Sequence, residues 1–229
     1  MLTTSIPLCR LDDAKRPIGL ASGCMLDYRN KRFLLSVQHA VNKSSNNWVA
    51  LLGDDGRNGM EYYKPANFNF VGEIVRDSGI FRDIDFCYAE VLRDLVANYQ
   101  FITPRGISDE KPRHIFHSAL ADVPNYQEIY AFSGKVNAEM HGSSSLVTET
   151  HVFPGLRYEK TEGEFHFFRL PVPHPGHDHF KGCSGAPIVD RKKKVVALLC
   201  GGDVLTNMVR GVSLARYKFA FDFLCERST

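Results

Sequence analysis

Short runs of apolar or alternating residues, each closed by turn residues, dominate this chain and constrain it to a fold built from strands. The runs at 23–28, 31–37 and 48–52 read as strands, and Asp27-Tyr28-Arg29-Asn30 between the first two reads as a hairpin turn. The same pattern predicts strands at 68–74, 85–91, 128–132, 145–152, 164–170, 186–189 and 195–199. Many short strands with turn signals between them point to barrels or sandwiches.

The chain has 229 residues, 44% of them hydrophobic, enough to bury a large core in one all-β domain or two fused barrels. The polar stretch 103–125, with Pro104, Pro112 and Pro124, interrupts the strand rhythm and reads as a connection between residues 1–102 and 126–229. Near the C-terminus Leu214, Tyr217 and Phe221 recur at helical spacing, with Phe223 and Leu224 on or beside that stripe. An amphipathic C-terminal helix packed on the second half is therefore expected.

Twenty-eight basic residues against 26 acidic ones give a formal charge of +2, far from the positive field of a dedicated nucleic-acid binder. Arg191-Lys192-Lys193-Lys194 reads as a solvated hairpin turn, so no nucleic-acid partner is expected. The N-terminal residues lack a basic region followed by a sustained apolar stretch, and no later segment is apolar for long enough to span a bilayer. Six scattered cysteines, at 9, 24, 87, 183, 200 and 225, show no CxxC spacing. Reduced thiols in a soluble cytoplasmic protein, with no membrane partner, are the simplest expectation.

One segment carries chemistry. A serine hydroxyl is a poor nucleophile near neutral pH, so acyl transfer by serine needs an imidazole base, a carboxylate to orient it, and amide donors for the oxyanion. In Gly182-Cys183-Ser184-Gly185-Ala186-Pro187 a glycine lies two residues before the serine and another follows it directly, which lets the backbone fold tightly. The amides of Gly182 and Ser184 can then point into one hole.

This run resembles the Gly-x-Ser-Gly-x-Pro signature of trypsin-like serine peptidases. The resemblance extends upstream, where that family places a histidine at the end of an early apolar strand following a Ser-Gly hairpin. Here these are Ala21-Ser22-Gly23-Cys24 and Phe33-Leu34-Leu35-Ser36-Val37-Gln38-His39. The family's aspartate opens a strand that aligns with Asp85-Phe86-Cys87-Tyr88-Ala89-Glu90-Val91. Asp83 would project to the same side of that strand and competes for the role. The order His39, Asp85, Ser184 is that of the chymotrypsin-like fold. The resemblance implies an all-β chain of two antiparallel six-stranded β-barrels (chymotrypsin-like) with a C-terminal α-helix. It further implies serine endopeptidase activity on protein or peptide substrates without a cofactor or metal.

The departures from the family narrow this expectation. Position 183 is cysteine where secreted relatives carry the aspartate that captures a new N-terminal amine, and Ile18 is too close to His39 for that activation route. Viral relatives place a nucleophilic cysteine at the serine position itself, which here is Ser184, so Cys183 reads as a packing residue. His39 is followed by Ala40 and not by cysteine, as in disulfide-free bacterial and viral branches. Control by a regulatory protein partner or a conformational trigger is expected in place of zymogen cleavage.

Asp178, six residues before Ser184, matches the trypsin pocket residue that selects Arg or Lys, and Cys200 and Gly201 match the facing wall. His174, His177, Asp178 and His179 offer metal-type ligands, but no second ligand cluster is evident and the loop is expected to hold none. A silent peptide-binding module, or an esterase or acyltransferase on the same residues, are the rival functions.

Overall fold

The apolar runs emerge as strands in the computed structural model, which describes all residues except 42–46, 55–59, 76–77, 107, 142–144 and 227–229. First come β1 (Ile6–Leu11), β2 (Pro17–Tyr28), β3 (Lys31–Ser36), a single helical turn α1 (Gln38–Val41), β4 (Trp48–Asp54), β5 (Met60–Tyr63), β6 (Asn69–Ile74) and β7 (Phe81–Val91). Next are β8 (Asn98–Ile102), β9 (Ser108–Pro112) and β10 (Ile115–His117). The second half holds β11 (Ile129–His141), β12 (Ser145–Glu162), β13 (Phe165–Arg169), β14 (Pro187–Val189), β15 (Val195–Asp203) and β16 (Met208–Ser213), before helix α2 (Lys218–Glu226).

The second half closes into a six-stranded barrel in the order β11-β12-β13-β16-β15-β14. The first half differs in strand count: β5-β4-β1-β2-β3-β7-β6 form a continuous path, and β10 adds to β2 in parallel. The reason lies in β2. Its N-terminal part pairs with β1 and its C-terminal part with β3, so one long strand serves two stretches of sheet. The hairpin from β2 to β3 turns at Arg29 and Asn30, with Arg29 in the left-handed region. The expected connection at 103–125 itself carries β9, paired with β8, and β10.

Three apolar clusters follow from strand alternation. Ile6, Leu8, Met25, Leu34, Trp48, Cys87 and Ala89 fill the first half, and Phe132, Leu156, Phe168, Cys183, Ile188 and Leu199 fill the barrel of the second. The third lies between the halves, where Phe33 and Phe86 meet Leu198 and Val212 from the second half and Tyr217, Phe221 and Cys225 from the C-terminal segment. Strand β7 therefore buries both faces, Ile84 and Phe86 on one and Cys87 and Ala89 on the other.

Here the structure corrects one expectation. Helix α2 packs across to the first half: the Phe221 ring centre is 5.1 Å from Phe33, 5.8 Å from Phe86 and 6.0 Å from Tyr28. The Tyr28 hydroxyl donates to Asp222 Oδ1 at 2.6 Å, which fixes the helix over β2. Phe223 stays half exposed, off the stripe. Periodicity identifies an apolar face but not the surface it covers.

Candidate active site

His39 sits in the one-turn helix α1, just past the end of β3. Asp85 lies in the middle of β7, the strand paired with β3 on its other edge from β2. Ser184 occupies the turn between a 3-10 segment at His177–Phe180 and β14. The fold brings the three together. Asp85 Oδ2 is 2.8 Å and Oδ1 3.0 Å from His39 Nδ1, and the His39 backbone N–H donates to Oδ1 at 3.0 Å. His39 Nε2 is 3.0 Å from Ser184 Oγ. His39 thus takes Asp85, and not Asp83, as its carboxylate.

An ionised carboxylate only accepts hydrogen bonds, so Asp85 holds the imidazole with its proton on Nδ1. Nε2 is then left as an acceptor for the Ser184 hydroxyl. The ring is about half exposed, and Ser184 opens onto a cleft of about 540 Å³ lined also by Leu20, Ala40, Asn137, Asp178, Lys181 and Gly182.

The turn owes its shape to two glycines. Gly182 has φ 93° and Gly185 has φ 89°, both in the left-handed region that side chains rarely adopt. A Cβ on Gly182 would run into the Lys135 carbonyl oxygen, and one on Gly185 into the Ser22 carbonyl oxygen. The Cys183 N–H donates to Phe180 O at 2.9 Å and the Gly185 N–H to Leu199 O at 2.7 Å. The amides of Gly182 and Ser184 donate to no acceptor among the described residues.

The first half holds this turn through a residue to which sequence reading assigned no role. Ser22, fully buried on β2, donates its backbone N–H to Ser184 O at 2.8 Å and its hydroxyl to Gly182 O at 2.7 Å. Ser36 Oγ in turn donates to Ser22 O at 2.7 Å. The Ser22-Gly23 pair was visible in the sequence, but its contact lies 160 residues away. A second clamp is ionic. Arg82, three residues before Asp85 on β7, bonds Glu73 of β6 and, at 2.8 Å, the buried Glu164 of the second half.

The expected pocket residues are placed differently. Asp178 lines the cleft, but its side chain is 84% exposed and pairs with Lys181 Nζ at 2.7 Å, which holds its carboxyl below the usual range. It does not form the buried floor of a specificity pocket: without a disulfide, the 3-10 segment at His177–Phe180 turns it outward. Cys200 is buried, its thiol donating to Arg210 O at 3.4 Å, and its pKa is pushed up to about 12 by burial and then by the Asp85 charge. It therefore lies near the Asp85 carboxylate. Gly201 is partly exposed on β15 and pairs with Arg210 of β16.

Cys183 is fully buried in the barrel core, and burial pushes its thiol up to about 12. It is a packing residue without thiolate character. All six cysteines are buried and unpaired. Among the described residues, no three His, Cys, Asp or Glu side chains gather around a common point, the loop at 174–179 included. Among the described residues, no helix is long and apolar enough to cross a membrane.

No protein-family model matches the chain, and neither does any curated protein. Solved structures do. The serine endoprotease from Yersinia pestis superposes with a TM-score of 0.56 at 12% identity, covering 97% of this chain, which spans 63% of that protein. Neuropsin, a serine protease expressed in mouse brain, superposes at 0.59 and 12% identity over 98% of this chain and 95% of its own. Human heparin binding protein gives 0.56 at 9% identity, over 94% and 89%. The chain has the chymotrypsin fold of trypsin-like serine proteases, with one closed barrel, a second sheet system and a C-terminal helix.

Proposed function

We propose that this chain is a serine endopeptidase working through an acyl-enzyme. The observation that carries the proposal is the unbroken line from Asp85 through His39 to Ser184, with contacts of 2.8 and 3.0 Å. In this reading His39 Nε2 takes the proton of Ser184 as Oγ attacks the scissile carbonyl, and the new oxyanion meets the amides of Gly182 and Ser184. Asp85 stabilises the imidazolium, which returns the proton to the leaving amine. A water then repeats the sequence to release the acyl group.

Substrates are proteins or peptides lying in the cleft. A cationic side chain reaches Asp178 only by displacing Lys181, and so exposed an ion pair is worth at most about 1 kcal/mol. Any preference for Arg or Lys that rests on Asp178 is therefore about fivefold or less. Control by a partner or conformational trigger fits the Lys181–Gly182 peptide, whose amide leaves the hole if its plane turns about the two flanking single bonds.

Incubation with a fluorophosphonate probe tests the proposal. The native chain should label and cleave peptides, while Ser184→Ala should do neither and keep its fold. An unlabelled native chain would favour a binding module, the role named for human heparin binding protein. Turnover of esters without peptides would make the chain an esterase or acyltransferase.

A further inference from the structure

Between β1, β2, β4, β5 and β8 of the first half and β11 and β12 of the second lies a cavity of about 330 Å³. Three cations line it, Lys15, Arg113 and Lys135, and Leu20, Tyr62 and Tyr99 supply apolar and aromatic wall. Among the described residues no carboxylate does.

Its charges are uncompensated. Arg113 is only 9% exposed, and its guanidinium bonds the carbonyl oxygens of Asn98, Leu2 and Ser5, with no acid. Burial lowers its pKa to about 10. The Lys135 amine makes no hydrogen bond or ion pair among the described residues, and burial, then Arg113, press it below the usual lysine value. Two like charges lining one semi-enclosed space with no acid beside them are costly unless an anion shares it. Cations without a counter-ion beside apolar wall are the recognition chemistry of an amphiphilic anion.

We propose that this cavity binds a small organic anion, a carboxylate or phosphate head on an apolar or aromatic body. The head meets Lys135 and Arg113, and the body lies toward Leu20, Tyr62 and Tyr99. The position has a consequence for the serine turn. Leu20 lines both this cavity and the active-site cleft, and the Lys135 carbonyl lies against Gly182. A bound anion therefore acts on the segment that presents the Gly182 amide, and this effector role, unlike binding itself, rests on the peptidase reading.

Calorimetry on the Ser184→Ala chain, where binding is read without turnover, tests the site with 1-naphthyl phosphate, 1-naphthoate, neutral 1-naphthalenemethanol and inorganic phosphate. At least one naphthyl anion should bind about tenfold or more tighter than the alcohol, the size expected of one charge-assisted contact. Lys135→Gln should weaken it by about tenfold with an unchanged or raised melting temperature, and Lys15→Gln, on an exposed turn, by a smaller factor. Should Lys135→Gln fail to fold, the Lys15→Gln result decides. The proposal is overturned if neither anion binds, if the alcohol or inorganic phosphate binds as tightly, or if the lysine variants bind like the parent. In the native chain the bound anion should change the rate of fluorophosphonate labelling by about fivefold, and an unchanged rate would remove the effector role while leaving the site.

Discussion

Gly182→Ala isolates the proposed oxyanion donors from the rest of the site. The methyl would come within the 3.0 Å that Cβ atoms do not cross, and the obstacle is the Lys135 backbone oxygen, which no side-chain rotation removes. The left-handed φ of 93° adds strain of roughly 1–3 kcal/mol for a residue with a side chain. The cheapest relief is to move the 181–183 backbone by roughly 1 Å, and a misplacement of that size at a reacting centre costs about a hundredfold. The Gly182 amide also turns out of the hole, and removal of one such donor costs about 10²–10³ in kcat.

The stability cost, a few kcal/mol, is smaller than the roughly 5–15 kcal/mol that holds a domain together, so the variant should fold. On the peptidase reading the amide acts on charge that exists only in the transition state, so kcat should fall with KM nearly unchanged. Steady-state peptide hydrolysis beside a thermal melt measures both. A folded variant with kcat within about threefold of the parent would refute this account of the turn.

Three further outcomes are expected. Asp178→Ala should change the ratio of Arg or Lys to other residues before the cut by no more than about fivefold in a peptide-library profile, since Lys181 already neutralises the carboxylate; a larger loss would return Asp178 to a specificity pocket. His166 is buried, bonded through Nδ1 to Thr161 Oγ1 at 2.8 Å, and burial lowers its pKa to about 4. The unfolded chain binds that proton first, so stability is full above about pH 6.5 and falls by roughly 2–3 kcal/mol toward pH 4; melting curves of His166→Gln should lose that part of the slope, and an unchanged slope would exclude His166 as its source. Phe221→Ala should cost about 3–5 kcal/mol in denaturant titrations, because the ring touches Phe33, Phe86 and Tyr28 together; a loss under about 1 kcal/mol would show that α2 does not seal the first half.

What could be read in the sequence was local. Strands with apolar or alternating faces, such as β3, β7 and β15, announced themselves, and the turn at Ser184 carried its glycines where the backbone needs them. Strand β1 went unseen, with Pro7 among its apolar residues. Strand β16 was masked by Gly211, where a Cβ would collide with Ala197 and Ile188 from packed neighbours. Contacts made at long range had no local signature. Ser22 holding the serine turn, Arg82 reaching Glu164 and the target of α2 each depend on how the halves meet, while Asp178 turns outward through a local 3-10 segment that no residue pattern announced.

The seating of α2 also dictates an order of events during synthesis. Phe33 and Phe86 leave the ribosome long before Tyr217 and Phe221, yet their shared cluster is incomplete without that last helix. A nascent chain that has already made His39, Asp85 and Ser184 therefore still has an unsealed first half. The cluster between the halves closes only after the segment around Tyr217 and Phe221 has emerged, so a fragment that ends before it leaves Phe33 and Phe86 uncovered on the first half.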